Sequence, residues 1–74
     1  RLVIPRTVET VTVRFGARDY DVSVKIGWDG ERPVSLKPEY EQVKAIARET
    51  GTTLRDASRR AEAAGWELLA RRRA

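Results

Sequence analysis

From Tyr20 to Trp28 every second residue is large and apolar: Tyr20, Val22, Val24, Ile26 and Trp28 alternate with Asp21, Ser23, Lys25 and Gly27. A repeat of two puts all five on one side of an extended chain, whereas a helix would scatter them around its circumference. The segment is therefore a half-buried β-strand. A lone strand cannot bury such a face, so the neighbouring residues must supply partners.

They do. Val11, Val13 and Phe15 alternate with Thr10, Thr12 and Arg14, which predicts a second strand of the same kind. Gly16-Ala17-Arg18-Asp19 separates the two as a hairpin turn, and Asp29-Gly30 marks another. Beyond it, Val34 and Leu36 are assigned to the core, with Ser35 and Lys37 opposite. Leu2 and Ile4 alternate before Pro5 and predict a short edge segment, because proline donates no ladder hydrogen bond. Such short connections make the strands antiparallel.

The period then changes. Pro38 ends the strand and suits the first turn of a helix, followed by Glu39 and Glu41, which complement the positive end of the helix dipole. Tyr40, Val43, Ile46 and Ala47 form a helical apolar stripe that Gly51 closes as a C-cap. Thr53 and Asp56 have capping-box spacing and open a second helix with the narrow stripe Leu54, Ala57, Ala61, Ala64 and Leu68. Trp66 lies off that stripe: either a bend at Gly65 returns it to the core, or it faces outward as an interface anchor. The expected fold is α+β, a small antiparallel sheet of three to four strands with two C-terminal helices packed on one face.

Seventy-four residues make one domain, assigned to residues 1–74. With no cysteine and no histidine the chain lacks a disulfide framework, the usual zinc and nickel ligands, and Ser-His or Cys-His nucleophile pairs. Stand-alone catalysis and tight nickel binding are not expected. The longest apolar run is Leu2-Val3-Ile4, far too short to span a membrane, and a cytoplasmic location is expected. Methionine is absent, so Arg1 is not read as a native start, and the chain is expected to be the C-terminal piece of something longer.

The net charge of +4 suits a phosphate-bearing partner, although Arg71, Arg72 and Arg73 supply much of it where it complements a helix C-terminus. The outward strand face carries Thr10, Thr12, Arg14, Ser23, Lys25, Ser35 and Lys37. An open face of hydroxyls and cations suits a polyanion or a partner subunit.

Residues 34–56 resemble the C-terminal domain of the LarC family, the nickel insertion proteins of nickel-pincer nucleotide biosynthesis. The resemblance rests on Lys37-Pro38-Glu39-Tyr40-Glu41, the helix ending Glu49-Thr50-Gly51, and Leu54-Arg55. Upstream, Val8-Glu9-Thr10, Phe15-Gly16 and Val22-Ser23-Val24-Lys25 match weaker family features. Ser23 and Gln42 depart from it, standing where the family commonly has arginine and aspartate. The resemblance implies a CTP-binding and oligomerisation domain of a CTP-dependent nickel chelatase (cyclometallase). CTP would bind with magnesium or manganese, and nickel handling would belong to an N-terminal part. It points to Lys25 and Lys37, with Arg14, as phosphate contacts, and to Glu39 and Glu41 as metal contacts. Tyr40 is a candidate for stacking on the base, against core packing from its place on the helix stripe. A homo-oligomer is expected, trimer or hexamer with dimer as the fallback, with Trp66 as interface anchor. The alternatives are a ligand-free oligomerisation module and a basic nucleic-acid-binding module using the open sheet or Arg55, Arg59 and the terminal arginines. The sheet lacks the exposed aromatic platform of single-strand binders, which disfavours nucleic acid.

Overall fold

A computed structural model describes residues 5–73. Three strands, β1 (Arg6–Phe15), β2 (Arg18–Asp29) and β3 (Arg32–Pro38), precede two helices, α1 (Tyr40–Thr50) and α2 (Leu54–Arg73). The strands form an antiparallel sheet in the order β1-β2-β3. The edge segment expected at Leu2 and Ile4 lies outside the described residues.

The first hairpin is tighter than the composition suggested, and the second turns one residue later than Asp29-Gly30. Phe15 pairs with Arg18 and Asp29 with Arg32, leaving two-residue loops, Gly16-Ala17 and Gly30-Glu31. Each loop opens on a glycine at φ 65°, and no described non-glycine residue has positive φ. A glycine at the first loop position is what a type II′ turn requires, and that turn matches the strand twist. Arg18 and Asp19 therefore belong to β2 rather than to the turn.

Alternation holds along β1 and β2. Val11, Val13, Phe15, Val22, Val24 and Ile26 are buried, with Tyr20 and Trp28 packed against them at the margins. The indole of Trp28 donates to Thr7 Oγ1 at 2.8 Å, and its backbone N–H donates to the Pro5 carbonyl at 2.9 Å. Proline thus joins the ladder through the one backbone group it can offer.

Alternation fails at one place in β3. Gly27 pairs with Ser35 but Trp28 pairs with Pro33, so Val34 is an extra residue in a β-bulge. The expected core position of Val34 is corrected: its side chain is 49% exposed, and Leu36 alone represents β3 in the core.

Pro38 is the last residue of β3, not part of the helix; Glu39 is the N-cap of α1. The first turn of α1 takes over where β3 stops. Ser23, one residue beyond the last β2–β3 pair, donates its N–H to Gln42 Oε1 at 2.7 Å, while its carbonyl accepts from the Glu39 N–H at 2.8 Å. Val43, Ile46 and Ala47 then face the core, and Gly51 caps the helix at φ 74°. Tyr40 does not follow them. It is 55% exposed, which corrects the core packing expected from the stripe.

Thr53 Oγ1 accepts from the Asp56 N–H at 3.1 Å and starts α2. Ala57, Ala61 and Leu69 are buried, Ala64 and Leu68 partly so, and Leu54 is exposed. α2 runs unbroken through Gly65, and Trp66 is not returned to the core but faces outward. Gly65 is there for room: a Cβ at this position would lie 2.6 Å from Leu36 Cδ1 and 3.0 Å from Cδ2. Helix propensity alone would favour alanine by about 1 kcal/mol, whereas overpacking a filled site costs about 1–3 kcal/mol. Because Leu36 is buried, Gly65→Ala is expected to destabilise the fold by about 1 kcal/mol in urea titration. The same change in a Leu36→Ala background should be neutral or stabilising. A stabilising Gly65→Ala in the otherwise native chain would show that Leu36 swings aside freely.

The far end of α2 is tied back to the sheet. Arg72 makes a two-pronged ion pair with Glu9 at 2.8 and 3.0 Å. These hydrogen bonds hold the Glu9 carboxyl below its ordinary pKa and the Arg72 guanidinium above its own. Arg71 pairs with Glu67 one turn earlier on α2. No helix among the described residues is long and apolar enough to cross a membrane.

Candidate functional site

Both helices pack on the face formed by Val11, Val22, Val24 and Ile26, leaving the other face of the sheet open. The register sets what that face displays. Lys25 stands directly opposite Lys37 on β3 and opposite Val8 on β1. Like charges in direct cross-strand positions repel. Neither lysine has an acidic partner within ion-pair distance among the described residues.

Around this pair lies a shallow cavity of about 250 Å³, walled by Val8, Lys25, Lys37, Pro38, Glu39 and Tyr40. Val8 and Tyr40 are two of the five large apolar side chains left exposed among the described residues, at 63% and 55%. The Lys44 ammonium lies 5.9 Å from the centre of the Tyr40 ring. Apolar surface, two unpaired ammonium groups and a carboxylate are thus gathered at one spot. A second cavity of about 270 Å³ adjoins it, sharing Lys25 and Lys37 and bounded by Arg6, Gly27 and Ser35.

Glu39 has a structural duty here. Its carboxylate accepts from the backbone N–H groups of Glu41 and Gln42 at 3.4 and 3.2 Å, capping α1. Each oxygen keeps lone-pair capacity beyond that single bond. Glu41 is exposed on the first turn and does not line the cavity. No group of three or more acidic residues suited to a metal ion exists among the described residues. The donor set fits a hydrated magnesium or manganese ion carried mainly by phosphate oxygens, with Glu39 as one contact; it does not fit an all-protein cage.

Of the residues singled out from the sequence, Lys25, Lys37, Glu39 and Tyr40 come together and Arg14 does not. Arg14 pairs with Asp19, and its Nε donates to the Gly16 carbonyl at 3.3 Å. It lies six residues along β1 from Val8, roughly 20 Å at strand rise. Arg6 stands at the other end of the same face, and its even-numbered position shared with Thr10 and Thr12 was the available signal. Ser23 and Gln42, the two departures from the family pattern, touch each other: beyond the backbone contact, Gln42 Nε2 donates to Ser23 Oγ at 3.4 Å. Trp66 lies away from this face, on the flank of α2 opposite the groove that Ala64, Leu68 and Arg71 form with β1.

A larger cavity of about 450 Å³ opens at the β1–β2 hairpin, but its charged groups are engaged. Arg18 pairs with Glu49 at 3.2 Å, the Tyr20 hydroxyl donates to the same oxygen, and the Arg60 guanidinium lies 5.2 Å from the Phe15 ring centre.

In class, then, this is an α+β sheet with helices on one side and an open cationic face on the other. The family model described as nickel insertion protein matches residues 1–58, and the chain belongs to that family. A protein of Picosynechococcus sp. is 41% identical over 51 residues, covering 69% of this chain and 11% of the relative. One from Methanosarcina mazei is 31% identical over 93% of this chain and 18% of its own length. One from Methanothrix thermoacetophila is 35% identical over 97% of this chain and 17% of its own length. All three are named, provisionally, nickel insertion proteins. The chain spans less than a fifth of these curated relatives. No solved structure matches it.

Proposed function

We propose that this chain is the C-terminal nucleotide-binding and assembly domain of a cytoplasmic CTP-dependent nickel insertion protein of nickel-pincer cofactor synthesis. The observation that carries the reading is the unpaired Lys25–Lys37 couple beside exposed Tyr40 and Val8 and the helix-capping Glu39. Lys25 and Lys37 neutralise phosphate oxygens, Tyr40 offers a ring to a base, and Glu39 holds a divalent ion directly or through water. That ion, when present, offsets phosphate charge. Cytosine enters through the family alone. With neither histidine nor cysteine in the sequence, nickel itself is handled by another part of the protein. Exposed Trp66 is the anchor for self-association.

The direct test is thermal shift with CTP, ATP, GTP and UTP, each with magnesium or manganese. A ligand at 100 times its dissociation constant stabilises by about 2.7 kcal/mol, a large shift for a domain of this size. CTP is expected to give it. No shift with any nucleotide would remove the nucleotide role from this chain, and a shift with all four alike would remove the base preference.

A further inference from the structure

We infer that Arg6 is a nucleotide contact of this site, at its phosphate end, so that a bound nucleotide lies with its base toward Tyr40 and its terminal phosphates toward Arg6. The inference rests on the nucleotide-binding reading above and adds a direction and a residue to it.

The two adjoining cavities differ in kind. On one side of the shared lysines stand Val8, Pro38 and Tyr40, an apolar shelf beside the Glu39 carboxylate and Ser23. On the other stand Arg6, Gly27 and Ser35, with no apolar side chain. Arg6 pairs with Gly27, so no side chain rises between the guanidinium and β3. Two residues along β1 from Val8, Arg6 is a diagonal neighbour of Lys25, within reach of a long side chain. Like the lysines, Arg6 has no carboxylate in ion-pair range among the described residues. Three cations therefore frame one concavity with no acid among its walls, while on the shelf beyond the one further cation, Lys44, lies against the Tyr40 ring. A ligand complementary to the whole must be apolar and planar at one end and polyanionic at the other. A guanidinium binds phosphate oxygens in a two-pronged fork, which an ammonium cannot do.

Calorimetry with CTP, CDP, CMP and inorganic triphosphate tests this in the native chain, Arg6→Gln and Tyr40→Ala. Arg6→Gln is expected to weaken CTP roughly 10- to 100-fold and to leave CMP unchanged, narrowing the preference for the triphosphate. Tyr40→Ala should weaken all three nucleotides by a similar factor and spare inorganic triphosphate. Equal loss of CTP and CMP in Arg6→Gln, or no loss of either, would overturn the inference while leaving CTP binding intact. If the native chain binds no nucleotide, the functional reading falls, and Arg6 is judged on inorganic triphosphate: Arg6-dependent binding supports a phosphate site here, and its absence overturns one. Arg6 is exposed near the start of β1, so the variant keeps the core untouched.

Discussion

Replacing Lys25 and Lys37 together by threonine is expected to lower CTP affinity by roughly 100-fold or more and to raise the stability of the ligand-free protein. Hydrogen bonds to charged groups contribute about 1.5–3 kcal/mol each, and two are removed. The opposite effect on stability follows from the register. The two ammonium groups face each other across β2 and β3 with no acid within ion-pair distance among the described residues. Threonine suits a strand, and a Thr–Thr cross-strand pair is favourable, so relief of about 0.2–1 kcal/mol is expected. Calorimetry with CTP and urea titration without it read the two effects separately. A double variant that binds CTP as the native chain does would move the nucleotide elsewhere. One less stable than the native chain would contradict the cross-strand repulsion.

The second large effect lies in the core. Ile26 is 1% exposed on the central strand, and Ile26→Ala is expected to cost about 2–5 kcal/mol. Domains of this length are stable by roughly 4–11 kcal/mol, so the change removes a large share of the total. Val34→Ala, only two positions before Leu36 on the neighbouring strand, should stay within about 0.5 kcal/mol, as surface changes do. Urea titration of both variants is decisive. Similar losses at the two positions would mean that Val34 is buried after all and the bulge is absent.

That contrast shows what could be read from the residues alone. Alternation along β1 and β2 specified which side chains are buried, because an unbroken pair of strands obeys a period of two. The same parity misplaced Val34, since a bulge consumes one residue and leaves no mark in an apolar pattern. Helical spacing placed Val43, Ile46 and Ala47 but misjudged Tyr40, because the first turn of α1 sits at the rim where β3 has ended. Gly65 read as a weak point in a helix; its packing against Leu36 exists only once helix and sheet are brought together. At the site, Lys25, Lys37, Glu39 and Tyr40 were legible through the family resemblance. Arg6 was missed because Pro5 was taken to interrupt the strand, whereas its carbonyl extends the ladder to Trp28. Ser23 and Gln42 looked like two separate losses from the family pattern. Their mutual hydrogen bonds make them one neutral coupling between α1 and β2.

The two borders of the sheet are not equivalent as templates. β3 offers seven residues, begins beside one proline, ends on another and is kinked between them by Val34. Such an edge resists further strand addition. β1 runs ten residues without a proline or a bulge, and its outer backbone groups have no partner among the described residues. Any strand added to this sheet, from a neighbouring copy or from elsewhere in a longer chain, is directed to β1, so the sheet can widen on one side only.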